Sequence, residues 1–167
     1  MLKSLSVLLP LMINASLAFA EDFATPQSDV ILTISGDIAQ TNVGDTLQFD
    51  LEMLRALDDT VIETSTIWTD GVRSFQGVSL DVLIDMLGVS DGSLAASAIN
   101  DYTVQIPLSD AAPGGPILAY LMDGKAMSVR EKGPLWVIYP YDSAAEFRSE
   151  VIFSRSIWQL DRIEVVQ

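Results

Sequence analysis

The chain of 167 residues contains no cysteine and no histidine. Without cysteine there can be no disulfide, no iron–sulfur cluster, no thiolate zinc site, no thiol nucleophile and no lipid attached through a thiol. Without histidine there is no Ser-His-Asp chemistry and no imidazole-bound zinc or haem, and the commonest general base is missing. Cations are also scarce: 9 Lys+Arg stand against 23 Asp+Glu, a formal net charge of −14. Such a surface repels phosphate backbones, so a nucleic-acid partner is excluded. There is no Gly-x-Ser-x-Gly elbow, no calcium loop and no flexible Gly-rich phosphate loop, since Pro113-Gly114-Gly115-Pro116 is stiffened by its prolines. Carboxylates such as Asp58-Asp59, Asp81 with Asp85, and Glu146 with Glu150 read as solvated surface rather than as a catalytic pair.

What is present is apolar. Hydrophobic residues make up 49% of the chain and the mean hydropathy is +0.33, enough for one domain with a core. The beginning of the sequence reads as an export signal. Lys3 is followed by an apolar run from Leu5 to Leu17 and by Ala18-Phe19-Ala20, with polar Glu21-Asp22 after it. Cleavage after Ala20 would leave residues 21–167 as a single domain, with a charge of −15 once Lys3 is gone. The run is short and carries Pro10 and Asn14, so a signal is expected rather than a membrane anchor. The expected location is the periplasm.

The rest alternates short strands with a few helices, an α+β pattern of mixed sheets. Strands are predicted at Asp29–Ser35, Thr46–Phe49, Thr60–Trp68, Arg73–Val78, Ala95–Asn100, Tyr102–Leu108, Ile117–Met122, Lys125–Ser128, Leu135–Tyr139, Ile152–Trp158 and Asp161–Val166. Asp123-Gly124 marks a hairpin turn. Asp50 is expected to cap a helix through Leu51, Leu54 and Leu57. Ser79 is expected to cap a second, in which Leu80, Leu83, Ile84 and Leu87 share a face before Gly88. Tyr141–Val151 reads as a polar, flexible excursion.

Aromatics near strand ends and the few cations are the candidate binding groups. A flat heterocycle stacks on indole, phenol or guanidinium planes. Trp68, five residues before Arg73 and beside the turn Thr69-Asp70-Gly71, is one candidate, and Trp158 is another; Trp136, among apolar neighbours, reads as core.

Several segments together resemble the sulfite-oxidase-type molybdopterin-binding domain. They are Phe75-Gln-Gly-Val-Ser-Leu80, Tyr102–Leu108, Leu118-Ala-Tyr-Leu-Met-Asp-Gly-Lys125, Gly133-Pro-Leu-Trp-Val-Ile-Tyr-Pro140, Ser156-Ile-Trp158 and Asp161–Val165. Their order and spacing cover residues 29–166. The resemblance implies a sulfite-oxidase-like fold of mixed sheets with a pterin pocket. It also carries a departure. The family's oxidases bind molybdenum through a cysteine in the region equivalent to Thr60–Arg73, and none is present there, Thr66–Thr69 being the replacing stretch. The pocket histidine is missing as well.

The chain is therefore similar to small exported members of the family that keep the pterin pocket without the metal. The resemblance implies a non-catalytic pterin-binding protein, taking a reduced pterin or a molybdopterin-like one with no metal. It further implies a partner in the periplasmic domain of a membrane receptor, a diguanylate cyclase/phosphodiesterase or a histidine kinase. The site residues it points to are Trp68 and Tyr141 or Trp158 for stacking, and Arg73, Arg130, Ser154 and Arg155 for polar or phosphate contacts. Two other readings remain: an oxidoreductase holding molybdopterin through a non-cysteine ligand, and a ligand-free interaction module whose acidic surface seeks a basic face.

Overall fold

The structure, a computed structural model, describes residues 23–167. The expected export signal lies outside those residues. Ten strands and three helices follow one another: β1 (Leu32–Gly36), β2 (Leu47–Phe49), α1 (Leu51–Leu57), β3 (Thr60–Ser65), β4 (Val72–Ser79), α2 (Leu80–Leu87), β5 (Ser93–Ala98), β6 (Thr103–Pro107), β7 (Ile117–Met122), β8 (Lys125–Ala126), β9 (Leu135–Ile138), α3 (Glu150–Arg155) and β10 (Trp158–Val166).

β10 organises the sheet because it pairs with three neighbours in succession. Its beginning, Trp158 and Leu160, lies antiparallel against Trp136 and Leu135 of β9. Beyond an irregularity at Gln159–Asp161, it runs antiparallel to β5 and parallel to β1. One branch therefore reads β2-β1-β10-β5-β6, and the other β10-β9-β7-β4-β3 with β8 beside β7. Gln159 makes this fork, with a positive φ of 53° that breaks the pleat.

The central strands explain the core. All four residues of β9 are buried, as are the first five of β7, which fits their unbroken apolar runs. Trp136, Tyr120, Tyr139 and Phe75 are almost fully enclosed. β4 and β7 approach closely at Gly77, where a Cβ would collide with the Leu118 carbonyl. On α2, Leu80, Leu83, Ile84 and Leu87 face the core, and Gly88 ends the helix in the left-handed conformation.

Three expectations are corrected. Ile152–Arg155 is helical, not a strand. Ser149 caps α3 through its hydroxyl oxygen, which accepts from the Ile152 N–H at 3.3 Å, and Glu150 and Arg155 suit the two ends of the helix dipole. The strand then starts at Trp158 and runs to Val166 as one element, irregular around Gln159. Ser79 precedes α2 but makes no side-chain capping bond; its hydroxyl turns to the Asp81 carboxylate. The predicted strand Thr60–Trp68 stops at Ser65, which leaves Trp68 in the connection to β4.

Candidate functional site

Trp68 is presented by a hydroxyl-stapled turn. The Thr66 hydroxyl accepts from the Trp68 N–H at 3.0 Å and shares a 2.8 Å hydrogen bond with the Thr69 hydroxyl. Just upstream, the Asp142 carboxylate accepts from the Ser65 N–H at 2.6 Å and from its hydroxyl at 2.8 Å, while the Asp142 N–H donates to Thr64 Oγ1 at 3.1 Å. These bonds hold the Asp142 carboxyl below the usual carboxylate range, the Ser65 N–H contributing most. They also dock the Trp68 turn onto the segment that carries Tyr141.

Four rings surround the Trp68 indole at edge-to-face angles. Its centroid lies 5.6 Å from Trp158, 5.8 Å from Trp136 and Phe153, and 6.3 Å from Tyr141. Behind them stands a buried polar knot around Ser156. Its hydroxyl accepts from Tyr141 Oη at 2.6 Å and donates to the Ile152 carbonyl at 2.8 Å; its carbonyl accepts from Trp136 Nε1 at 3.2 Å. Burial pushes the Tyr141 phenol up to about 12, so Tyr141 is a neutral donor at physiological pH. Tyr141 thus backs Trp68 from the core, only 2% exposed.

Trp68, Phe153 and Trp158 open onto a cleft of about 330 Å³, completed by Ala98, Asn100, Tyr102, Ser154, Ser156, Ile157 and Gln159. The walls come from the Trp68 turn, the β5–β6 turn, α3 and the start of β10. Trp158 is 37% exposed and Tyr102 58%, so aromatic surface faces solvent here. The polar groups are neutral. Asn100 Oδ1 accepts from the Tyr102 N–H at 3.2 Å, and the Ser154 hydroxyl donates to the Val151 carbonyl at 2.7 Å. Gln159 Nε2 donates to the Val129 carbonyl at 2.7 Å, which leaves its carbonyl oxygen to accept.

The other predicted site residues lie around this cleft rather than in it. Arg73 lines a second, more open and more polar cleft of about 570 Å³ with Ile67, Trp68, Thr69, Asp70, Met122 and Glu131. There its guanidinium donates to Asp123 at 2.8 Å and to the Asp70 carbonyl at 3.1 Å. Arg130 is exposed on the short 3₁₀ turn Val129–Glu131, without an ion pair to any described residue. Arg155 turns away from the aromatic cleft and pairs with Asp110 at 2.9 Å; Asp110 also accepts from Tyr139 Oη at 2.7 Å. Burial and that hydrogen bond drive the Tyr139 phenol far above its ordinary value.

Asn100, Tyr102, Phe153 and Gln159 escaped the sequence reading. Phe153 adjoins the predicted Ser154, and Tyr102 follows the left-handed Asp101, whose side chain stands at a tight turn. A fifth missed residue, Lys132, places its ammonium 4.4 Å from the Trp158 ring centroid and 5.4 Å from that of Trp136.

No family model matches the chain. No curated protein matches it either. Among solved structures, the sulfane dehydrogenase SoxCD from Paracoccus pantotrophus is similar, with a TM-score of 0.57 and 19% identity. The match covers 80% of this chain and 37% of that one. The fold is distantly sulfite-oxidase-like.

At this distance the likeness speaks for the fold, and the donor chemistry must be read from this chain. A thiolate-held molybdenum does not fit, because the chain has no cysteine. Among the described residues no three His, Cys, Asp or Glu side chains form a group able to hold a metal. A flat organic ring does fit. The aromatic cleft lies within the range of about 300–1,000 Å³ usual for small-molecule sites and combines apolar walls with a few neutral polar groups.

Proposed function

We propose that the chain is a non-catalytic pterin-binding protein. The aromatic cleft is its site, and Trp68 and Trp158 are its principal walls. The observation that carries this reading is the composition of the cleft. Three aromatic rings and Tyr102 border a neutral lining of amide, hydroxyl and backbone groups, and none of its lining residues is Asp, Glu, Lys or Arg. That lining suits a planar ring with a hydrogen-bonding edge, and it offers neither a carboxylate base nor a nucleophile with an adjacent base. Gln159 Oε1, Asn100 and the Ser154 hydroxyl are the groups able to meet a pterin's amino and ring N–H edge. Tyr141 and Phe153 hold Trp68 in place from behind.

The wider role follows from the family resemblance. The protein is an exported, periplasmic sensor subunit whose loaded and empty states set the output of a membrane receptor.

The test is extraction of the protein purified from its own host. The sample is denatured, oxidised with iodine and separated by chromatography with fluorescence detection, with metal analysis on the same material. Pterin without molybdenum is expected. Pterin with about one molybdenum per chain would restore the oxidoreductase. Protein that arrives empty and takes up no added reduced pterin would leave an interaction module.

A further inference from the structure

We propose that Lys132 is a positioning and specificity-determining residue of the aromatic cleft: through its contact with the Trp158 ring it biases the site toward anionic or electron-rich planar rings and against cationic ones. The proposal rests on the reading of that cleft given above. The Lys132 ammonium lies 4.4 Å from the Trp158 centroid and 5.4 Å from the Trp136 centroid. No described carboxylate pairs with it, although the chain has 23 acidic residues. Its charge is spent on two indoles instead.

The backbone makes this placement firm. Lys132 follows the 3₁₀ turn Val129–Glu131 with a positive φ of 77°. Its carbonyl accepts from the Gln159 N–H at 2.9 Å, and Gln159 Nε2 donates back to the Val129 carbonyl at 2.7 Å. The turn is thus fastened to the β10 irregularity, whose Trp158 and Gln159 line the cleft. Lys132 itself is not part of that lining. It acts on a ligand through the indole.

A cation near an indole draws electron density toward itself. The surface of the ring left for a ligand is then less negative, which favours stacking by an electron-rich or anionic ring. A cationic ring stacked on that indole meets like charge nearby. This local sign opposes the charge of the whole chain, −14, whose field draws cations. The ammonium stands 4.4 Å from the Trp158 centroid, inside a Debye length of about 8 Å at physiological salt, so its effect on that ring persists there.

The experiment compares wild type, Lys132→Met and Lys132→Arg of the full chain at near-physiological salt. Two fluorescent planar probes are used: anionic pterin-6-carboxylate and cationic proflavine. Wild type is expected to prefer the carboxylate. Lys132→Met should weaken the carboxylate about three- to tenfold while proflavine holds or tightens, and Lys132→Arg should restore the preference, because guanidinium can occupy the same ring face. If Lys132→Met does not fold, Lys132→Asn replaces it, since Asn tolerates the left-handed backbone. An unchanged ratio of the two affinities would overturn the proposal, as would equal weakening of both probes. Wild type that binds neither probe would overturn the pterin reading together with it.

Discussion

Asp110→Ala tests whether α3, and with it one wall of the cleft, is held by a half-buried ionic latch. Asp110 ends the short 3₁₀ turn after β6. Its carboxylate accepts two hydrogen bonds from Arg155 Nη1, at 2.9 and 3.1 Å, and one from Tyr139 Oη at 2.7 Å. The side chains of Asp110 and Arg155 are 13% and 24% exposed. Removing the carboxylate strands a guanidinium and a phenol together. Hydrogen bonds to charged groups contribute about 1.5–3 kcal/mol each, and breaking one partner of a buried pair costs about 3–5 kcal/mol. Arg155 can recover part of its hydration through its exposed quarter, so the lower end applies, about 3 kcal/mol. For a domain of this size that corresponds to a fall in Tm of about 6–12 °C. Thermal unfolding followed by circular dichroism reads it directly. A double-mutant cycle with Arg155→Met should show a coupling of about 1–2 kcal/mol. Because α3 carries Phe153 and Ser154, ligand affinity should fall with stability. Asp110→Ala within about 0.5 kcal/mol of wild type, with no coupling, would refute the reasoning and reduce the pair to ordinary surface charge.

Three further outcomes follow from other parts of the fold. Gly77→Ala should lower stability by about 3 kcal/mol or prevent folding, because its methyl meets the Leu118 backbone between two central strands, as denaturant titration will show. Ser156→Ala should cost about 1–2 kcal/mol in the same assay by leaving the buried Tyr141 hydroxyl without its acceptor. The Asp50 carboxyl, which caps α1, is held below its ordinary value by the Met53 N–H first, then by those of Gln27 and Ser28. Its folded value lies below its unfolded one, so its stabilisation is complete above about pH 5 and is lost as the pH falls from about 4 through the folded value. Asp50→Asn should therefore flatten the acid limb of a stability-against-pH curve, and an unaltered limb would contradict the assignment.

Local signals made much of the fold legible. Gly88 after a Leu80–Leu87 stripe, Asp123-Gly124 between two apolar runs, and Asp50 before Leu51 each state their structure within a few residues. Alternation in β3 and unbroken apolar runs in β7 and β9 did the same. Two kinds of feature stayed hidden. In α3, Ile152 and Phe153 favour strands by propensity, and the helix stands because Ser149 caps it and Phe153 packs on Trp68 and Tyr141. The fork in β10 depends on pairing with strands far away in sequence, β1 among them, which no local pattern encodes.

The site divides the same way. Trp68 and Trp158 were visible as rings beside turns. The cations were not placeable, because in so acidic a chain many carboxylates compete for each Arg. Arg155 takes Asp110 across 45 residues, and Arg73 takes Asp123 across 50. Asn100, Tyr102 and Gln159 enter the cleft only because the β5–β6 turn meets the β10 irregularity, where the Ile99 N–H donates to the Gln159 carbonyl at 2.9 Å.

The central claim is that the aromatic cleft binds a pterin. The chain has three tryptophans, and all of them belong to this one cluster, 5.6–6.4 Å apart. Intrinsic tryptophan emission therefore reports on this cluster, two of whose rings, Trp68 and Trp158, line the cleft. The decisive measurement is the quenching of that emission as a reduced pterin is titrated, under anaerobic conditions, into ligand-stripped wild type and Trp68→Ala. Saturable one-to-one quenching in wild type, weakened at least tenfold in Trp68→Ala, is the predicted result. Emission in wild type that does not change on saturation with pterin, from a protein shown to be folded, would contradict it.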